Sequence, residues 1–198
     1  MTTETQKLSF LIEHQSIPAA LLSEPAPNEA QLNLILQSAM SAPDHGYLRP
    51  FRFLTIQGKA RLELSKVFEQ AARNRNLDED AVQKQKSKPL RSPLIICVIA
   101  STTQNPKIPE IEQLLSAGCA AQHIQLACKG LGFASIWLTG DNCYDQHVYH
   151  SLGLDLNERL VGFIYIGSHH SEATPKARPS AMDITQSWTT INSPEFAI

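Results

Sequence analysis

The chain has 198 residues, of which 42% are hydrophobic and 18% are charged, and its formal net charge at pH 7 is −2. This composition is typical of a globular protein with a substantial core and excludes an intrinsically disordered chain. Because the 17 basic residues do not exceed the 19 acidic ones, we expect no nucleic-acid partner. The N-terminus lacks the pattern of a signal peptide, and the longest apolar run, 94–100, is too short to cross a bilayer. We therefore expect a cytoplasmic protein with no membrane contact.

The first quarter of the chain predicts two helices, a polar turn and a strand. Apolar residues at helical spacing predict a short helix over residues 5–14. Asn28 is a favourable N-cap, and the apolar stripe behind it predicts a second helix that runs through Met40. The stretch "SAPDHGYLRPFRF" at 41–53 then turns, and its alternating end predicts a strand at 51–56.

The rest of the chain alternates helices with apolar strands. In chain order the predicted elements are helices at 59–72 and 73–88, a strand at 94–100, a helix at about 111–131, a strand at 134–138, a helix at 144–152 and a strand at 160–167. The strand "LIICVIA" at 94–100 has no polar alternation, which is typical of a central strand covered on both faces. This order predicts a layered fold of the α+β or α/β class in a single domain, residues 1–198.

The last part of the chain, 168–198, differs in composition from the rest. It contains three prolines and little hydrophobic periodicity. We expect an extended C-terminal tail that wraps over a surface of its own subunit or of a partner.

The cysteines and histidines suggest no metal centre and no nucleophilic catalysis. Four cysteines are too few to form a disulfide framework in a chain of this length, so we expect them to be reduced. Cys143, His147 and His150 have a spacing that would place three ligands on one helical face, but no fourth ligand is evident. A surface helix with ordinary histidines explains that spacing more simply. We expect no metal and no catalytic dyad.

Several stretches resemble, in order and spacing, the nitroreductase family of flavin enzymes. They are "EPAP" before the second helix, "SAPDH…RPFRF", "KIPEIEQLLSAGCAAQHIQLACKGLGFASIW" and "LVGFIYIG". The likeness extends over about residues 7–188 and is strongest to the branch of small NAD(P)H nitroreductases. It implies an α+β three-layer fold, with a central mixed sheet flanked by helices, in an obligate homodimer that binds FMN at its interface. The implied activity is reduction of nitroaromatic or quinone-like acceptors by NAD(P)H, with hydride transfer through the flavin and no protein acid or base.

The resemblance also implies residues that face the flavin ring. The turn containing His45 would reach the FMN of the other subunit, and Arg49 would lie near the ring. Thr139 and Gly140, which end the strand "ASIWL", would lie near the flavin N5, together with Trp137. From the residues alone, an ordinary turn explains Thr139 and Gly140 equally well.

The chain departs from the family where arginines clamp the FMN phosphate. His14, Gln15 and Ser16 stand where relatives have an Arg-Arg-Ser sequence. Ser41 and Leu138 stand where the small branch has two further arginines. Arginine suits this clamp because its rigid fork matches phosphate oxygens and keeps its charge.

Two interpretations of these departures stay open. Lys176 and Arg178, in "TPKAR", resemble a Lys-x-Arg pair that larger nitroreductases place near the phosphate, and would restore the lost charge. Alternatively, the chain is a flavin-free dimeric relative that acts as a binding or regulatory protein.

Overall fold

The computed structural model of the chain describes residues 3–171 and 176–188. The helices are α1 (Thr3–Ile12), α2 (Glu29–Ala39), α3 (Ala60–Asn74), α4 (Glu79–Ser87), α5 (Glu110–Gly130) and α6 (Gln146–Ser151). The strands are β1 (Phe51–Gln57), β2 (Leu94–Ser101), β3 (Ala134–Leu138) and β4 (Glu158–Gly167). Within the described residues, no helix combines the length and the hydropathy needed to cross a membrane.

The four strands form one sheet in the order β1-β2-β4-β3. Every pairing between these strands is antiparallel. The α+β class is thus confirmed, whereas the sheet differs from the predicted mixed sheet. The mixed sheet was what the family resemblance implied, whereas in this chain each strand runs opposite to the strands with which it pairs.

The central strand is β2, and its side chains alternate between two cores. Leu94–Ala100 are all fully buried. Ile95, Cys97 and Ile99 face the core under α3 and α6. Leu94, Ile96, Val98 and Ala100 face the core under α2 and α5. The predicted strand covered on both faces, and the three-layer arrangement, are therefore confirmed.

The two long helices on the second face are defined by local signals in the sequence. The side chain of Asn28 accepts the N–H of Gln31, whose side chain accepts the N–H of Asn28, so a capping box starts α2. The alanines Ala117, Ala120 and Ala121 of α5 are fully buried against α2 and the sheet. Small side chains here let the helices pack closely.

The predicted helix at 73–88 is interrupted. Asn76 adopts a φ of 57°, which ends α3. Asp78 then starts α4 by accepting the N–H of Ala81 with its side chain.

The segment that follows α1 and the start of the tail meet beside the edge strand β3. The N–H of Ile17 donates to the carbonyl of Ser135 at 3.1 Å, which fixes the segment after α1 to this strand. Ser23 and Ser168 exchange backbone hydrogen bonds of 2.9 and 2.8 Å, which fixes the start of the tail to the same segment. This double attachment positions the candidate site.

Only part of the predicted tail can be compared with the structure. Residues 172–175 and 189–198 lie outside the described residues. Residues 176–188 expose every side chain and contain one 3-10 turn, Ala181–Ile184. No α-helix lies within residues 176–188.

Candidate functional site

A cavity of about 660 Å³ lies where the end of α1, the last turn of α5, the start of β3 and the tail converge. We call it the first cavity. Its charged and polar lining comprises Glu13, His14, Gln15, Gln125, Lys129, Ser135, His169, Lys176 and Arg178. An adjoining hollow of about 260 Å³ shares several of these residues and adds Ser16 and Gln122. The structure thus brings together His14, Gln15, Ser16, Lys176 and Arg178, the residues that the sequence associated with a phosphate.

The tail is attached to this cavity through Arg178. Its guanidinium Nη2 donates to the backbone carbonyl of His14 at 2.7 Å. This bond uses one N–H group of the guanidinium, so its other N–H groups are available to bind an anion. The contact explains why residues 164 positions apart in the chain line one cavity.

Lys129 is a cation in this cavity that the sequence analysis missed. It lies in the last turn of α5, with its Nζ 5.9 Å from the centroid of the Phe10 ring. Burial, followed by the charges of Lys129 and Arg178, lowers the pKa of His14 below its usual value. The electrostatic potential at the end of α1 is therefore positive. This potential favours the neutral form of the His14 imidazole.

Gln125 lies beside the same cavity with its side chain almost fully buried. The residue is 4% exposed, and its Nε2 donates to Oε1 of Gln122 at 3.1 Å. Its own Oε1 is buried and has no hydrogen-bond partner among the described residues. Buried polar atoms without a partner are rare in proteins, but this oxygen has almost no accessible surface and is therefore closed off from the cavity.

A second cavity, of about 340 Å³, lies at the other end of β3. Its lining comprises Phe68, Lys88, Arg91, Leu138, Thr139, Gly140, Asn142, Phe163 and Tyr165. The half-buried Lys88 has a pKa lowered by burial and by the nearby charge of Arg91. Neither cation forms an ion pair within the part of the chain that the structure describes. This cavity, too, favours a negatively charged group.

The edge strand β3 connects the two cavities. Ala134 and Ser135 line the first cavity and Leu138 lines the second. At about 3.4 Å per residue, the three or four residue steps from Ser135 or Ala134 to Leu138 span roughly 10–14 Å. Among the described residues, the bond from Ile17 to Ser135 is the only backbone hydrogen bond on the outer edge of β3. The arrangement suits an elongated ligand that is anionic at both ends.

The remaining predicted site residues line neither cavity of this chain. Ser41 donates through Oγ to the carbonyl of Ser38 at 2.7 Å. Trp137 packs in the core, where its Nε1 donates to the carbonyl of Val161 at 3.2 Å. The four positions that lack family arginines are therefore dispersed in the single chain. His14 and Gln15 line the first cavity, Ser41 lines neither cavity, and Leu138 lies in the second cavity.

The turn that contains His45 and Arg49 is held in an unusual conformation. His45 Nδ1 contacts Glu112 Oε2 at 2.7 Å, which ties the turn to the start of α5. The Asp44 carboxylate accepts the N–H groups of Leu48 (3.1 Å) and Arg49 (2.8 Å). Arg49 has a φ of 49° and an exposed side chain. These contacts hold the Arg49 side chain out toward solvent rather than toward either cavity.

The cysteines and histidines of the alternative metal site are not grouped. Cys143 is buried in the core before α6 begins, whereas His147 and His150 lie on α6. Within the described residues, no three His, Cys, Asp or Glu side chains converge as metal ligands. All four cysteines are free.

Comparison with known proteins places these features in context. Residues 13–168 match the sequence model described as "Nitroreductase family". The Escherichia coli (strain K12) protein named "Putative NAD(P)H nitroreductase YdjA" is 39% identical over 167 residues, which cover 84% of this chain and 90% of that protein.

Two solved structures share the fold. The nitroreductase-like family protein from Bacillus cereus superimposes with a TM-score of 0.81 at 22% identity, covering 96% of this chain and 100% of that one. The FMN-dependent nitroreductase from Clostridium difficile R20291 has a TM-score of 0.62 at 22% identity, covering 94% and 99% of the two chains.

Proposed function

The chain belongs to the nitroreductase family, and on that basis we propose that it is an FMN-dependent NAD(P)H oxidoreductase that reduces nitroaromatic or quinone-like acceptors. The observation that carries this proposal is a pair of cation-lined cavities, to which opposite ends of β3 contribute residues. FMN is itself elongated, with a phosphate at one end and, at the other, a ring that gains negative charge on reduction.

The first cavity fits the phosphate. Lys129, Lys176 and Arg178 line it, and among the residues that the structure describes they are opposed by one carboxylate, that of Glu13. A phosphate monoester carries nearly two negative charges at neutral pH and presents several strong acceptors. Three cations supply the charge that His14, Gln15 and Ser16 lack.

The second cavity fits the polar edge of the ring. Lys88 and Arg91 supply positive charge there, and Thr139 and Gly140 form its rim. Gly140 adopts a φ of 91°, a conformation that favours glycine and lets the backbone come close to a ligand. In this proposal Lys88 supplies positive charge beside the ring, near which the resemblance also places Arg49.

When bound, FMN supplies the redox chemistry, because it accepts a hydride from NAD(P)H and passes electrons to the acceptor. The residues of this chain bind and orient the cofactor and set the electrostatic field around it. A protein acid or base is not required, in keeping with the lack of a catalytic dyad in the sequence.

We propose further that the protein is a homodimer. Ile111 and Leu115, one turn apart on α5, are 60% and 62% exposed. The tail adds the exposed side chains of Met182, Ile184 and Trp188. Apolar surface of this extent is typical of a protein interface. We expect light scattering to show a stable dimer at micromolar concentration, and a monomer there would contradict an obligate interface.

FMN retention is the decisive test of the proposed function. We expect the purified protein, incubated with FMN and desalted, to retain the flavin absorbance spectrum and to oxidise NADH or NADPH with a nitroaromatic or quinone acceptor. A protein that stays colourless after this treatment would refute the proposal and favour the flavin-free binding protein.

A further inference from the structure

We infer that the second cavity is also a binding site for a small organic acid, whose carboxylate binds Lys88, Arg91 and the hydroxyl of Tyr165. The ligand class is a carboxylic acid with a short apolar or aromatic body. The inference goes beyond the proposed function, because this ligand requires no flavin. It rests on the proposed function at one point only, the expectation that the acid and the FMN ring compete.

The hydroxyl of Tyr165 is the observation that points to a ligand. Tyr165 lies on β4, is 2% exposed and lines the second cavity. Its hydroxyl makes no hydrogen bond to the described residues, and unlike the Oε1 of Gln125 it is not closed off from the cavity. Burial raises the pKa of this hydroxyl, so it keeps its proton at neutral pH and can donate to an anion. A buried tyrosine hydroxyl usually has a partner, so this one indicates an acceptor supplied by a ligand.

Two cations surround the same space. Lys88 and Arg91 line the cavity, and Arg91 uses one N–H group to donate to Ser87 Oγ at 3.3 Å. The charge of Arg91 adds to burial in lowering the pKa of Lys88, and it opposes the effect of burial on the pKa of Tyr165. Asp141 offsets part of the charge at Lys88, but no carboxylate is among the described lining residues. The cavity therefore suits a ligand with a negative charge.

The opposite wall of the cavity is apolar. Phe68 and Phe163 are 1% and 2% exposed and pack edge to face, with their ring centroids 5.2 Å apart. Together with Leu138 they line the same cavity. Inorganic phosphate is polar on every side, so it would lose hydration against this wall without gaining a hydrogen bond. An organic acid presents an apolar body to the wall and gains free energy from its burial.

The size of the cavity and its assigned role define how the acid relates to the flavin. A volume of about 340 Å³ is near the lower end of the range for ligand pockets, which favours a small acid. The proposed function places the polar edge of the FMN ring against Lys88 and Arg91. Because both ligands bind the same two cations, we expect them to compete.

The test titrates phenylacetate into the full-length chain, freed of flavin, by isothermal calorimetry. Tyr165→Phe removes only the hydroxyl and should weaken phenylacetate binding about tenfold or more, as expected for a hydrogen bond to a charged group. Lys88→Met should weaken it by a similar factor. Tyr144→Phe and Lys59→Met make the same changes at exposed positions outside the cavity and should leave the dissociation constant unchanged.

A neutral probe and an inorganic probe test the ligand class. Phenylacetamide and inorganic phosphate should each bind the wild type at least tenfold more weakly than phenylacetate. The inference is overturned if the wild type does not bind phenylacetate, if Tyr165→Phe binds it as tightly as the wild type, or if phosphate binds equally well. Thermal unfolding of each variant checks that it folds.

Competition with riboflavin separates this inference from the proposed function. Phenylacetate should raise the riboflavin dissociation constant, measured by flavin fluorescence, in proportion to its own occupancy of the protein. If riboflavin binding is unaffected while phenylacetate binding still depends on Tyr165, the acid site stands and the ring lies outside the second cavity. If the wild type binds no flavin, the proposed function fails, and the calorimetry alone decides whether the acid site exists.

Discussion

Replacing Lys176 and Arg178 together by alanine is expected to weaken FMN binding by about 2–5 kcal/mol, the usual effect of breaking a charged, hydrogen-bonded contact. At about 1.4 kcal/mol per tenfold change, this is a loss of roughly 30- to 4,000-fold in affinity. The reason is the composition of the first cavity: without these two side chains, Lys129 is the only lysine or arginine among its described lining residues. We expect FMN to dissociate from the double variant during gel filtration.

Riboflavin and a matched double variant serve as the controls for this prediction. Riboflavin should bind the wild type and the double variant about equally, because it lacks the phosphate. Lys59→Ala with Lys107→Ala removes the same net charge from exposed positions outside both cavities and should leave FMN affinity unchanged. If the Lys176/Arg178 variant retains FMN as tightly as the wild type, the tail is not the phosphate anchor.

A comparison with Lys129→Met separates the tail from the helix. If Lys129, Lys176 and Arg178 bind one phosphate, their substitutions should not be additive, because side chains that share a partner are coupled. Additive losses would indicate that Lys129 acts on a different part of the ligand.

The elements that the sequence predicted well are those with strong local signals. Asn28 and Gln31 form the capping box that begins α2, and the uninterrupted apolar run of β2 fixed its position between two helical layers. Whether neighbouring strands run parallel or antiparallel could not be predicted from such local signals. Antiparallel pairing of β1 with β2 depends on how α3 and α4 fold back over the sheet, which no local pattern encodes.

The site was only partly predictable for a similar reason. His14 and Lys176 were found through their resemblance to family motifs, and the structure places them in one cavity. Lys129 was missed because a lysine in the last turn of a helix is ordinary on sequence grounds. Leu138 was grouped with the phosphate positions, although it lies at the opposite end of β3. Which side chains share a cavity depends on tertiary contacts such as that between Arg178 and His14.

The charge in the second cavity leads to a prediction about the reduction potential of bound FMN. Lys88→Gln should lower this potential by about 30–60 mV, because a cation stabilises the negative charge gained on reduction more than it stabilises the oxidised ring. A unit charge roughly 6–12 Å from the ring, at an effective dielectric constant of about 20, contributes about 1.4–2.8 kcal/mol. For a two-electron couple, 1.4 kcal/mol corresponds to about 30 mV. Potentiometric titration of the FMN-loaded protein against a reference dye measures the shift.

Arg49→Gln is the companion variant, since the resemblance places Arg49 near the ring. If the turn of one subunit reaches the flavin of the other, this substitution should also lower the potential. An unchanged potential in Arg49→Gln would end the proposed role of Arg49. Because Lys88 lines the second cavity whereas Arg49 lines neither cavity of its own chain, we expect the larger shift from Lys88→Gln. If Lys88→Gln still binds FMN and the reduction potential is unchanged, the ring does not lie in the second cavity. FMN would then not extend along β3 from one cavity to the other.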